Sequence, residues 1–239
     1  MFFYRKTKYI FIAHIPLFFY TTNLCLKSIF KKIFFVLFRW THRTAFVAVS
    51  EFKRKKWCEP GTVIVLTPEA FPPLEANCGH NQIIVICNDL LNRKQELGFE
   101  MIEELAKEGF PIEIIGKNPG VNYAVKPKNF ADFQEYVRRA RIYLYTIRQP
   151  FGDGYNTAML EVMNMGMAIV TVENPSSPIV HGVNGLIGKD VHELKSHLSY
   201  LLKNPEDADR LGQNARKTIA EKFSKKQFLD SWQKTLCDV

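Results

Sequence analysis

Acidic residues are almost missing from the first quarter of this sequence. Residues 1–57 hold a single one, Glu51, against twelve lysines and arginines, so that block carries +11 and the remainder −3 within a total of +8. The same block holds eleven of the nineteen phenylalanines. Basic residues mixed with large apolar ones suit a surface that meets an anionic bilayer, or a core helix with a solvated basic face. No groove-reading or base-stacking motif accompanies the charge, so nucleic acid is not an expected partner.

Patterned cysteine is also missing. The five cysteines (Cys25, Cys58, Cys78, Cys87 and Cys237) are odd in number, scattered, and never form C-x-x-C. That pattern suggests neither a disulfide framework nor a zinc site and fits a reducing, cytoplasmic compartment. Long apolar runs are absent too: Lys27, Lys31 and Lys32 interrupt every window of about 18 residues that could span a bilayer. The stretch from Tyr9 to Tyr20 contains His14 and Pro16 and has no small-residue cleavage site behind it. Neither a transmembrane helix nor a signal peptide is expected. There is no internal repeat and no low-complexity tract.

What is present is enough apolar sequence for a folded protein. A chain of 239 residues, 46% hydrophobic, can bury roughly 70–75% of its unfolded surface. KYIFIA (8–13) and TAFVAV (44–49) read as short buried strands. Between them, residues 23–40 form an amphipathic helix with Lys27, Lys31, Lys32 and Arg39 opposite Leu26, Ile29, Ile33 and Leu37. Ser50 is placed to cap a short helix EFKRKKW, and Pro60-Gly61 turns the chain into TVIVL (62–66).

After a proline-bearing loop, strands and helices alternate: QIIVIC (82–87), helix 98–109, IEIIG (112–116), helix 130–140 begun by Asn129, RIYLYT (141–146), helix 155–165, AIVTV (168–172). Uniformly apolar strands alternating with helices imply an α/β fold, a doubly wound parallel sheet covered on both faces. The tail reads as two helices, one opened by Pro205 and one capped by Ser224. Three parts follow: 1–57, 58–223, and a C-terminal helix, 224–239, that packs back toward the first.

In such a sheet, ligands bind beyond the carboxyl ends of the strands. Strand 141–146 ends in TIRQPFGDGYNT, a loop with two glycines ahead of a helix start near Tyr155. The loop amides from Gly152 to Thr157 (Gly152, Gly154, Tyr155, Asn156, Thr157) would attract a phosphate there. Six residues on stands Glu161, flanked by Met159, Leu160, Val162 and Met163. A carboxylate in those surroundings must be paired, hydrogen-bonded or turned to solvent. It either faces outward, meets an arginine, or accepts from a pair of ligand hydroxyls.

The segments FADFQEYVRRARIYLYT and DGYNTAMLEVMNMGMAIVTVENPSSPIVHGVNGLIG resemble the nucleotide-binding domain of GT-B glycosyltransferases, specifically the retaining family 4 (group 1). The match runs through Phe133 to Ala140, Leu160-Glu161, Met163, Gly166, Ile169-Val170 and GVNGLIG. AVSEFKRKKW (48–57) and IEIIG, ending at Gly116, resemble further segments of the family. The resemblance implies a Rossmann-like domain and transfer of a sugar, with retention and no required metal, from a nucleotide-sugar donor to a glycan or lipid-linked acceptor.

By the same resemblance Glu161 holds the ribose, and Arg93 and Lys94 lie near the positions whose cations hold the diphosphate. The family's strict spacing there falls on Asn92 and Leu97 instead. The family's donor-sugar Glu falls on Asp153 or, with four residues inserted, on Gln149. His14 corresponds to the histidine near the reacting sugar. Only 47 residues precede the AVSEF segment, where the family has a whole acceptor domain. The chain is therefore expected to be either a truncated or minimal transferase, docked peripherally on a cytosolic membrane face, or a donor-binding module completed by a homo-oligomer or a separate acceptor-domain chain.

Overall fold

Buried strands need partners on both sides, and the apolar runs of this chain find them in two places. The computed structural model describes residues 8–13, 33, 36–37, 43–57, 61–68, 82–148, 151–152 and 156–238. These divide into two compact units, residues 1–67 with 223–239 and residues 68–222.

In the first unit, β1 (Lys8–Ala13) pairs in parallel with β2 (Arg43–Ala48), from Lys8 opposite Arg43 to Ala13 opposite Ala48. Helix α1 (Glu51–Trp57) follows, with the Ser50 hydroxyl accepting from the Lys53 amide at 3.2 Å, as its sequence position suggested. The Phe46 and Trp57 rings lie 5.8 Å apart and, with Ala48, form a small core. The expected strand 62–66 is shorter: β3 covers Thr62–Val63, and beyond it Ile64 donates to the Ala48 carbonyl at 2.9 Å. Of the helix expected over 23–40, residues 33, 36 and 37 are described. They are helical, and Ile33 and Leu37, assigned to its apolar face, are 50% and 59% exposed.

The second unit is built from β4 (Gln82–Ile86), α2 (Lys94–Leu97), α3 (Phe99–Lys107), β5 (Ile112–Ile115), β6 (Ala124–Val125), α4 (Phe130–Arg138), β7 (Ala140–Tyr145), α5 (Thr157–Met165), β8 (Ala168–Val172), β9 (Leu186–Gly188), α6 (Val191–Lys203) and α7 (Pro205–Lys222). The chain ends in α8 (Lys225–Asp238), in the first unit. The strands of the second unit form one sheet in the order β6-β5-β4-β7-β8-β9, every neighbouring pair parallel. Winding runs outward from β4 to β6, then returns to place β7 beside β4. This is the doubly wound, Rossmann-like arrangement, and the direction reverses between β4 and β7.

Helix α5 explains why its sequence is apolar nearly all round. Met159, Leu160, Val162, Met163 and Met165 are all buried; each such side chain contributes about 1.5–3 kcal/mol through burial. The helix starts at Thr157, two residues later than expected, because Asn156 is in an extended conformation and caps it, Oδ1 accepting from the Met159 amide at 2.8 Å. Asn129 caps α4 in the same way, accepting from the Asp132 amide at 2.9 Å. The helix expected over 98–109 is α3, and a separate short helix, α2, precedes it, with Gly98 at φ +63° between the two. Four elements were not anticipated, α2, β6, β9 and α6. In α6, Asp190 caps the Glu193 amide at 2.9 Å, Glu193 accepts from the Lys189 amide at 3.0 Å, and Leu194, Leu198 and Leu201 line the buried face.

Candidate functional site

At the carboxyl ends of β4 and β7, where the winding reverses, lies a cavity of about 280 Å³. Its floor is strand: Val85 to Cys87 on one side and Tyr143 to Ile147 on the other. One wall is the start of α5, through Asn156, Thr157 and Ala158; another is the loop after β4, through Asn88 and Arg93.

Two asparagines fix that loop. Asn88 Oδ1 accepts from the Lys117 amide at 2.7 Å. Asn118, buried, accepts from the Leu90 amide at 3.0 Å and donates to the Cys87 carbonyl at 2.9 Å. Gly116 makes the approach of the two loops possible. Its φ is +138°, and a Cβ there would fall 2.0 Å from the Cys87 carbonyl oxygen. Gly116 thus shapes the loop behind the cavity and is not among the residues that line it.

The loop after β7 is tied down in turn. The Thr146 hydroxyl donates to the Leu97 carbonyl, and Asn174 Nδ2 donates to the carbonyls of Ile147 (3.4 Å) and Gly152 (3.2 Å). Gly152 therefore belongs to the fastened part of this loop. Gln149, Asp153, Gly154, Tyr155 and, in the first unit, His14 lie outside the described residues.

At the start of α5 the first-turn amides have no intrahelical carbonyl to bond. Asn156 takes the Met159 amide with its side chain and the Leu160 amide with its carbonyl. That leaves the amides of Thr157 and Ala158, both cavity residues, at the positive end of the helix dipole. No acid stands in this first turn to neutralise them.

Arg93 lines the cavity and is held by Glu96, donating from Nε at 3.0 Å and Nη2 at 2.5 Å. The hydrogen bond to Glu96 raises its already high pKa further, so its positive charge is permanent. Lys94, the other expected cation, is exposed, sits 6.0 Å over the Phe99 ring and does not line the cavity.

Glu161 is half-buried one turn beyond Thr157 and Ala158, on the helix face they share by their spacing. It stands outside the cavity lining, yet its charge acts on Tyr143. Tyr143 and Cys87 had drawn no attention as sequence, because both sit in apolar strand runs. Burial pushes the Cys87 thiol up to about 11, with Arg93 pulling the other way. Burial also lifts the Tyr143 phenol well above its usual range, helped by Tyr145, Cys87 and Glu161 and opposed by a hydrogen bond from Asn156. A buried tyrosine hydroxyl needs a partner, which is the signal that could have singled out Tyr143. Among the described residues no group of three or more His, Cys, Asp or Glu is placed to hold a metal, and no helix is long and apolar enough to cross a membrane.

A family model described as glycosyl transferase-like matches residues 93–234, more than half of the chain and nearly all of the cavity-bearing unit from Arg93 onward. The chain belongs to the glycosyl transferase-like family. Solved structures place its fold among the GT-B glycosyltransferases. HepE of Anabaena, in complex with UDP and glucose, matches at 14% identity and a TM-score of 0.72, over 96% of this chain and 71% of its own. TarM of S. aureus, in complex with Fondaparinux, alpha-GlcNAc-glycerol and UDP, matches at 16% identity and 0.64, over 80% of this chain and 43% of its own. Sucrose-phosphate synthase from Thermosynechococcus elongatus matches at 14% and 0.61, over 79% and 57%. This family member thus spans less than half the length of TarM. No curated protein matches its sequence.

Proposed function

We propose that this chain binds a nucleotide-diphosphate sugar in the cavity between the ends of β4 and β7 and transfers the sugar, with retention, to a glycan or lipid-linked acceptor. The observation that carries the proposal is the convergence of the Thr157 and Ala158 amides with Arg93 on one cavity at the winding reversal. Amides at a helix start and a permanent cation suit a diphosphate, and they would neutralise the charge that grows as the sugar departs. Arg93, rather than the exposed Lys94, serves this role. No metal is needed for it.

Glu161, one turn along α5, takes the ribose hydroxyls through charge-assisted hydrogen bonds. Asp153 or Gln149 meets the donor sugar and His14 the reacting centre, as the family resemblance implies. HepE in complex with UDP-glucose and TarM in complex with UDP support the donor class for a chain of this fold. Calorimetry with UDP-, GDP- and ADP-sugars tests it: one donor binds, and an acceptor-dependent release of the diphosphate accompanies transfer.

A second reading is a donor-binding module completed by a separate acceptor-domain chain. Sugar transfer or donor hydrolysis by the chain alone would exclude it.

A further inference from the structure

The basic first quarter of the sequence allowed two readings, a surface that meets an anionic bilayer or a core helix with a solvated basic face. The second requires Ile33 and Leu37 to be buried. Instead Ile33, Val36 and Leu37, all helical and spaced to share one face, are 50%, 48% and 59% exposed. Exposed apolar side chains gather on this unit. Of the eleven large ones among the described residues, six (Ile12, Ile33, Val36, Leu37, Leu229 and Leu236) belong to residues 1–67 with 223–239. An apolar turn left in water marks a surface that meets something less polar. Charge identifies the partner. The first unit holds fifteen lysines and arginines against four acids, a net +11, whereas residues 68–222 carry −3. Eleven of those fifteen are lysines. Lysine is depleted where proteins meet proteins, whereas lysine-rich, acid-poor segments are drawn to anionic lipid.

We infer that the first unit docks on an anionic lipid bilayer, seating the face of Ile33, Val36 and Leu37 at the boundary between headgroups and acyl chains. Lys27, Lys31 and Lys32 interrupt the apolar sequence ahead of this turn, the pattern of a helix that lies in the interface and does not cross it. Stable attachment takes two signals, apolar insertion and attraction between charges, and both reside on this unit. The cavity lies in the other unit, so the inference does not rest on the reading of that cavity, and a failed donor titration leaves it standing.

The test is flotation of the full chain with vesicles of phosphatidylcholine alone and of phosphatidylcholine and phosphatidylserine in equal parts, at low salt and near 1 M salt. Wild type floats with the mixed vesicles at low salt and not with the neutral ones. Near 1 M salt, where screening acts within about 3 Å, its binding falls about 10-fold or more. The triple variant Ile33→Ser, Val36→Ser, Leu37→Ser binds about 10- to 100-fold more weakly, with the thermal midpoint of wild type. Val180→Ser, at an exposed position of the second unit, binds as wild type does. Should the triple variant not fold, Leu37→Ser alone decides, with a loss of about 5-fold. No flotation with the mixed vesicles, equal flotation with the neutral ones, an apolar-face variant that binds as tightly as wild type, or an equal loss in Val180→Ser overturns the inference. So does a wild type that ignores vesicles and self-associates on sedimentation through the same three residues, which assigns the face to a second copy of the chain.

Discussion

Arg93 is gripped by Glu96 at the rim of the cavity, Nε donating at 3.0 Å and Nη2 at 2.5 Å. A diphosphate that enters must share or displace that carboxylate. Glu96→Gln removes the competing charge and leaves Arg93 in place. Affinity for the nucleoside diphosphate is expected to rise about 2- to 5-fold at low ionic strength, as befits a partly exposed pair. The gain shrinks near 1 M salt, where screening acts within about 3 Å. Calorimetry at the two salt concentrations checks both parts.

Cys87 offers a chemical readout of the same cavity. With its thiol pushed up to about 11 by burial, very little thiolate exists at neutral pH, and the thiolate is the reactive form. Of the two cysteines among the described residues, iodoacetamide is expected to modify the exposed Cys237 readily and Cys87 slowly, with the Cys87 rate climbing as pH rises toward 11. Bound diphosphate protects Cys87 and leaves Cys237 unaffected. Peptide mapping by mass spectrometry reads each site separately.

Much of the fold was legible in the sequence. Apolar β-branched runs at 82–87, 112–116, 141–146 and 168–172 mark β4, β5, β7 and β8, because strands buried on both faces carry no alternation to confuse them. Asn129 announced α4 as its cap. The elements that escaped are those whose identity is tertiary: β6 has two residues and β9 three, and each exists because a neighbouring strand offers its edge. Helix α6 is readable from Asp190, Glu193 and the leucines at 194, 198 and 201, whereas the four-residue α2 is too short to leave a periodic pattern. For the site, Glu161 and Arg93 stood out as charges. Tyr143 and Cys87 did not, since a polar atom at the end of a buried strand looks like core until the topology shows that β4 and β7 are adjacent.

The GVNG segment illustrates how a motif residue can be structural. Asn184 is buried, accepting from the Val180 amide at 2.6 Å and donating to the Pro178 carbonyl at 3.2 Å and the Thr218 hydroxyl at 2.9 Å. It ties the loop ahead of β9 to α7. Asn184→Ala strands several of these groups and should cost about 2–3 kcal/mol, lowering the thermal midpoint by about 5–10 °C. Donor affinity per folded molecule stays unchanged.

Glu113 on β5 carries a pH dependence. Its Oε2 is buried and unpartnered among the described residues, and burial raises its carboxyl above the ordinary value, with Arg139 pulling it back. A carboxyl raised in the folded state favours folding while protonated. That contribution is full below about pH 4, the unfolded value, and is lost as pH rises through the folded value. Glu113→Gln removes the loss, so the variant should melt higher than wild type at pH 7, by about 1–3 °C. The difference narrows as the pH falls toward 4. Thermal melts across that range decide it.

The most direct test of the whole account is the titration of wild type and Glu161→Ala with UDP-, GDP- and ADP-sugars. Binding of one donor by wild type is expected, weakened about 10- to 100-fold in Glu161→Ala by loss of charge-assisted hydrogen bonds to the ribose. A wild type that binds none of them, or a variant that binds as tightly as wild type, would contradict it.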